Sequence, residues 1–216
     1  TVALAKSRSD ELELVLNKGG FTLKGISFSG EDPPEKLTDD NKSIGVGGIR
    51  WYTKDDELAL EIGELCFSRK LRGRKIIDEE TQKIPERLTR RHCVSKVSEV
   101  FDLTGKVTPI ISAMKLDLHE LITRKLGWDD CIPDDLRRIW LENFNTLKEL
   151  SSIRWKRAVV PKDAKNLDIE TLDFGDASRS MTCSAIYARF QTRNGDYTCQ
   201  LVLGRSKIVP DGTSQP

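Results

Sequence analysis

The sequence predicts an α+β protein: an N-terminal helix and a β-hairpin, a central three-helix bundle, and a C-terminal three-stranded antiparallel meander. Two observations carry that expectation. Three successive segments between Leu88 and Leu150 each hold one apolar stripe at helical spacing, and from Ile169 the hydrophobic period drops to two, with an Asn194-Gly195 turn inside it. With 216 residues and 38% hydrophobic content the chain can bury one large core or two small ones, which excludes wholesale disorder.

The elements follow in order. In "SRSDELELVLNKGG" Leu12, Val15 and Leu16 share a helical face, and Gly19 is expected to supply the left-handed C-terminal cap. "FTLKGISF" alternates Phe21 and Leu23, then Ile26 and Phe28 after a phase change, and predicts a strand bulged at Gly25. The polar "EDPPEKLTDDN" is a loop. Ile44, Val46, Ile49 and Trp51, a "TKDD" turn, and then Leu58, Leu60 and Ile62 predict a hairpin.

Three helices come next. Thr89 caps the first, with Leu88 and Cys93 as a staple and Cys93, Val94, Val97, Val100 and Phe101 as its buried stripe. Thr108 caps the second, Pro109 opens it, Ile111, Met114, Leu118, Leu121 and Ile122 face inward, and Gly127 ends it. The third starts with Asp134 and Asp135 and buries Leu136, Ile139, Trp140, Phe144 and Leu147. The meander then uses Leu172 and Phe174, "MTCSAIYARF", and Tyr197, Cys199, Leu201 and Leu203; alone it cannot cover both of its faces.

Charge and cysteines narrow the class only slightly. A formal charge of +1 argues neither for nor against a nucleic-acid partner. Five dispersed cysteines without a CxxC pair fit reduced intracellular thiols better than a disulfide frame or zinc site. No apolar run reaches the roughly 20 residues that span a bilayer, so no membrane partner is expected. The start at Thr1 inside a helix and the end at "VPDGTSQP" give the expectation of an excerpt from a longer polypeptide.

Six stretches, "GGFTLKG", "IGVGGIRW", "VSEVFDLTGKVTP", "KLGWDDCIPDDLRRIWLENFNTLKELSSIRWKRAVV", "FGDAS" and "RSKIVP", occur in the order and spacing of one family. The chain resembles the Pol polyprotein of BEL/Pao-type retrotransposons over nearly its whole length, most specifically from Lys125 to Val160. The resemblance implies that residues 1–65 are the C-terminal part of a reverse transcriptase after its catalytic strand, 66–165 a helical connecting region, and 166–216 a truncated ribonuclease H-like domain. The sequence departs from the family where Phe101-Asp102-Leu103-Thr104-Gly105 replaces Phe-Asp-Pro-Leu-Gly, and where Asp173-Phe174-Gly175 replaces His-Gly-Phe.

The resemblance implies further that Asp176 is the first ribonuclease H carboxylate and a Mg²⁺ ligand, acting on an RNA/DNA hybrid once other Pol segments supply its partner acids. Such chemistry uses two divalent ions about 3.5–4 Å apart, so one carboxylate is insufficient and the chain alone is expected to be inactive. Read from its neighbours alone, Asp176 instead begins a turn with Ser178. Asp173 falls on the other strand face. The implied location is the cytoplasm, and virus-like particles for the intact element.

Arg69, Lys70, Arg72, Arg74 and Lys75, joined by Arg87, Arg90 and Arg91, form a basic run that is either a phosphate track or a solvated loop. Asp39-Asp40 and Asp55-Asp56 are acid pairs in polar loops, where they keep turns soluble. The "DGTS" at Asp211 has the wrong order for an aspartic protease. His92 and His119 lack ligand-spaced neighbours. The competing function is a host-adopted, noncatalytic nucleic-acid-binding or interaction protein.

Overall fold

The computed structural model describes residues 2–38, 40, 42–63, 65–67, 69–71, 74–76, 79 and 81–209, with main chain alone at 69–71 and 74–76. The chain has the predicted α+β composition and falls into two compact units, Thr1–Ala59 with Arg154–Arg157, and Leu60–Ile153 with Ala158–Pro216.

In the first unit, helix α1 (Val2–Lys18) buries none of its residues. Its cap is a six-to-one turn: Phe21 N–H donates to Leu16 O at 3.0 Å and Gly20 N–H to Asn17 O at 3.1 Å. The left-handed residue is therefore Gly20, φ 80°, rather than Gly19. The strand expected over Phe21–Phe28 does not form. Gly25 is instead pressed against Leu37, where a Cβ would lie 3.0 Å from the Leu37 side chain. Beyond it, Gly30 N–H donates to Thr53 O at 2.8 Å and Thr53 Oγ1 to Glu31 O at 2.6 Å. These are isolated anchors, and without a continuous ladder an alternating pattern has no strand to join.

The predicted hairpin is a larger sheet. Strands β1 (Ile44–Val46), β2 (Ile49–Tyr52) and β3 (Glu57–Leu60) are joined at the far edge by another strand, Arg154–Lys156, in the spatial order first, second, third, then that one. Gly47 and Gly48, φ 57° and 81°, make the tight turn between β1 and β2 that the right-handed twist of a two-residue hairpin requires. At the "TKDD" turn the left-handed residue is Asp56, φ 53°. Its carboxylate accepts from Trp51 Nε1 at 3.1 Å and from Arg157 Nε and Nη2 at 2.6 and 3.1 Å.

The second unit opens with a short antiparallel pair, β4 (Arg69–Leu71) and β5 (Arg74–Ile76), inside the basic run that the sequence left without structure. Helices α2 (Arg90–Ser98), α3 (Thr108–Thr123) and α4 (Asp134–Leu150) follow, as predicted. Their shared core includes Leu88, Cys93, Met114, Leu121, Trp140 and Phe144, all at most 1% exposed. Burying such side chains stabilises by about 1.5–3 kcal/mol each, before entropy is subtracted.

Four details of these helices differ from expectation. Helix α2 ends at Ser98, Phe101 lies outside it at 53% exposed, and Lys96 takes an inward position, its ammonium 2.6 Å from Glu99 and 5.4 Å above the Phe67 ring. Thr108 is the first residue of α3, not its cap. Asp102 instead folds the loop ahead of the helix: Oδ1 takes the Gly105 and Lys106 N–H groups at 2.8 and 3.0 Å, and Oδ2 takes that of Val107 at 2.8 Å. Helix α3 closes with Lys125 in the left-handed conformation, φ 58°, ahead of Gly127. Ile122 and Ile139, at 51% and 36% exposed, lie outside the core.

After the strand Arg154–Lys156, here β6, the chain forms the meander β7 (Glu170–Ala177), β8 (Met181–Gln191) and β9 (Tyr197–Ile208). Ile186 pairs with Leu203 and Tyr187 with Leu201, so Val202 is an extra residue, a β-bulge in β9. Helix α3 packs on β9; Ser112 and Ser206 share a very short hydrogen bond there.

Candidate functional site

Residues directly opposite each other in neighbouring strands share a sheet face. The register places Asp176 opposite Cys183 and Phe174 opposite Ala185, and continues to Gly204 and Ser206 on β9. Asp176 therefore shares the face on which α3 packs, whereas Asp173, opposite Ile186, takes the other face as the alternation predicted. The β7–β8 turn is closed without Asp176. Ser178 N–H donates to Met181 O at 2.8 Å, and Ser178 Oγ accepts from the Ser180 and Met181 N–H groups at 3.2 and 3.1 Å.

Asp176 is an exposed member of the ladder, and its Oδ1 accepts from the Ala177 N–H at 2.8 Å. It is the last residue but one of β7. Gly175 and Ala177 leave the main chain beside it uncovered.

A cavity of about 480 Å³ opens beside this carboxylate, lined in part by Lys106, Pro109, Phe174, Asp176, Tyr187 and Leu201. Lys106 Nζ donates to Leu201 O at 2.7 Å. Burial pushes its pKa down, against the opposing pull of Asp102. The sequence offered no signal for Lys106, because its role depends on a loop folding back onto β9, far away in the chain.

The basic run divides. Arg69, Lys70, Arg74 and Lys75 lie on the β4–β5 pair, with Lys70 opposite Lys75, while Arg72 lies outside the described residues. Arg90 and Arg91 open α2 and are engaged within the chain. Arg90 Nη1 donates to Leu126 O at 2.6 Å with its guanidinium 4.5 Å above the Trp128 ring. Arg91 grips Asp129 with two bonds, 2.8 and 2.9 Å, and these hold the Asp129 carboxyl below its usual range.

Asp40 and His92 are both engaged within the chain. Asp40 accepts from Lys42 N–H at 2.9 Å and Ser43 N–H at 2.8 Å; burial pushes its pKa up, but these bonds outweigh burial and hold it well below normal. Asp39 and Asp211 lie outside the described residues. His92 Nδ1 accepts the Thr89 N–H at 3.2 Å, completing the cap of α2. Among the described residues no three His, Cys, Asp or Glu side chains converge as a metal site. Asp176 does not by itself fit a two-ion centre. No described helix is long and apolar enough to cross a membrane.

A family model described as the Pao retrotransposon-like RNaseH-like domain matches residues 89–215, from the cap of α2 through the meander. The chain belongs to that family. Its Pao-type region thus includes the helices and the meander, which also share one compact unit, and the α+β architecture is that of a partial RNase H-like fold. No curated protein and no solved structure matches the Pao-type chain.

Proposed function

We propose that this chain is a segment of the Pol polyprotein of a BEL/Pao-type retrotransposon, an RNA-directed DNA polymerase with ribonuclease H activity. In this reading residues 1–65 follow the polymerase catalytic strand, 66–165 connect, and 166–216 begin the ribonuclease H. The supporting observation is the position of Asp176. It lies in the ladder of the meander's first strand, exposed, between two small residues, and outside the turn that would otherwise account for it.

The Mg²⁺ ions and the RNA/DNA hybrid belong to the intact polyprotein, with Asp176 the only ligand contributed from here, so the segment alone does not cleave. Sequencing the native transcript across both ends tests this. A Tyr-x-Asp-Asp motif shortly upstream and an acid-bearing helix downstream are the expected result. Stop codons bracketing the segment would overturn it and favour a noncatalytic, host-adopted protein.

A further inference from the structure

The cavity beside Asp176 carries more than the carboxylate. Phe174 and Tyr187 form an edge-to-face pair on it, ring centroids 5.9 Å apart at 84°, and Phe174 is 59% exposed. An exposed ring on the wall of a groove presents a flat apolar face against which a ligand can pack. Lys106 lines the same cavity. Its bond to Leu201 O uses one of the three ammonium protons, which leaves two donors for a ligand.

The lysine is fixed by its surroundings. Asp102 holds the N–H groups of Gly105, Lys106 and Val107, and Gly105 lies against the main chain of Gly204. A partly buried cation costs solvation that a nearby anion can offset, and its pKa is already lowered by burial. A cation and an exposed ring lining one groove are the pair by which proteins track a sugar-phosphate strand.

We infer that this groove is a nucleic-acid strand subsite in which Lys106 takes a phosphate and Phe174, backed by Tyr187, packs against the adjoining sugar. The inference rests on the ribonuclease H reading for the identity of the strand, an RNA/DNA hybrid. It assigns a substrate contact to the turn before α3.

The test is fluorescence anisotropy of the full 216-residue chain with a labelled RNA/DNA hybrid in EDTA, titrated over a range of salt. Lys106→Met is expected to weaken binding and to lower the slope of log affinity against log salt by about 0.9, one phosphate contact. Lys106→Arg keeps the slope. Phe174→Ala is expected to weaken binding several-fold at every salt concentration with the slope unchanged, and its exposed position makes it the deciding variant if Lys106→Met does not fold.

An unchanged affinity in Phe174→Ala, an unchanged slope in a folded Lys106→Met, or no hybrid binding by the parent chain overturns the inference. The transcript result is independent of all three. Flanking polymerase and nuclease motifs found together with Lys106-independent binding would leave the Pol assignment standing and remove the subsite.

Discussion

Gly105 and Gly204 meet main chain to main chain: a Cβ on Gly204 would lie 2.9 Å from the Gly105 carbonyl oxygen, and Gly204 N–H donates to Thr104 O at 2.8 Å. Gly105 also has φ 78°, a conformation that side chains disfavour. Gly105→Ala is therefore expected to destabilise by about 3 kcal/mol or more, through collision as well as strain. Gly195→Ala, at φ 94° with nothing within 4 Å, carries strain alone and should cost about 1 kcal/mol. Urea denaturation of the two variants measures the difference; equal losses would refute the close approach.

Lys125 is an L-residue in the left-handed position that ends α3, with Lys125 N–H on Ile122 O at 2.8 Å and Leu126 N–H on Leu121 O at 3.2 Å. Lys125→Gly should stabilise the fold by about 0.5–1 kcal/mol, the strain relieved less the entropy glycine loses. A higher urea midpoint at unchanged slope is the expected readout.

His92 makes acid stability informative. Burial lowers its pKa, Asp129 opposes that, and Lys96 and Arg91 add to it; a proton on Nδ1 would also abolish the bond from Thr89 N–H. The unfolded chain, with a histidine near pH 6.5, then binds the proton more tightly than the folded one. The contribution is fully present above about pH 6.5 and is lost as pH falls through the lower folded value. Urea midpoints from pH 7.5 to 5 should decline in the parent and decline less in His92→Asn. The carboxyl of Asp129 acts in a separate window, below the ordinary aspartate value.

Thiol reactivity should report the core. Cys131, Cys183 and Cys199 are exposed, whereas Cys93 is fully buried and its thiol is pushed up to about 12 by burial. An aromatic disulfide reagent should modify the first three quickly and Cys93 only in denaturant. Rapid native labelling of Cys93 would contradict the packing of α2.

Much of this fold could be read locally. The stripe Leu136, Trp140, Phe144 and Leu147 of α4 and the alternation of the meander both held, because each is a repeat of the element's own period. Where long-range geometry decided, local signals failed. Phe21–Phe28 alternates but finds no ladder; Arg154–Lys156 gives too short a pattern to announce a strand; and Thr108 was a plausible cap, but the loop folded around Asp102 brings it into the helix as its first residue. The candidate site divides in the same way. Asp176 stood out through its flanking sequence and Tyr187 comes near it through the local β7–β8 pairing, while Lys106 joins their cavity only when the loop before α3 packs on β9.

The extra residue Val202 makes one point in the meander unusually forgiving of genetic accident. Loss of a codon elsewhere in β8 or β9 would exchange inward and outward side chains along the rest of the strand. Loss of Val202 would instead put Leu203 directly after Leu201, straighten the ladder, and leave every other side chain on its present face. Lineages of this sequence that have shed one residue from the sheet should have shed it there.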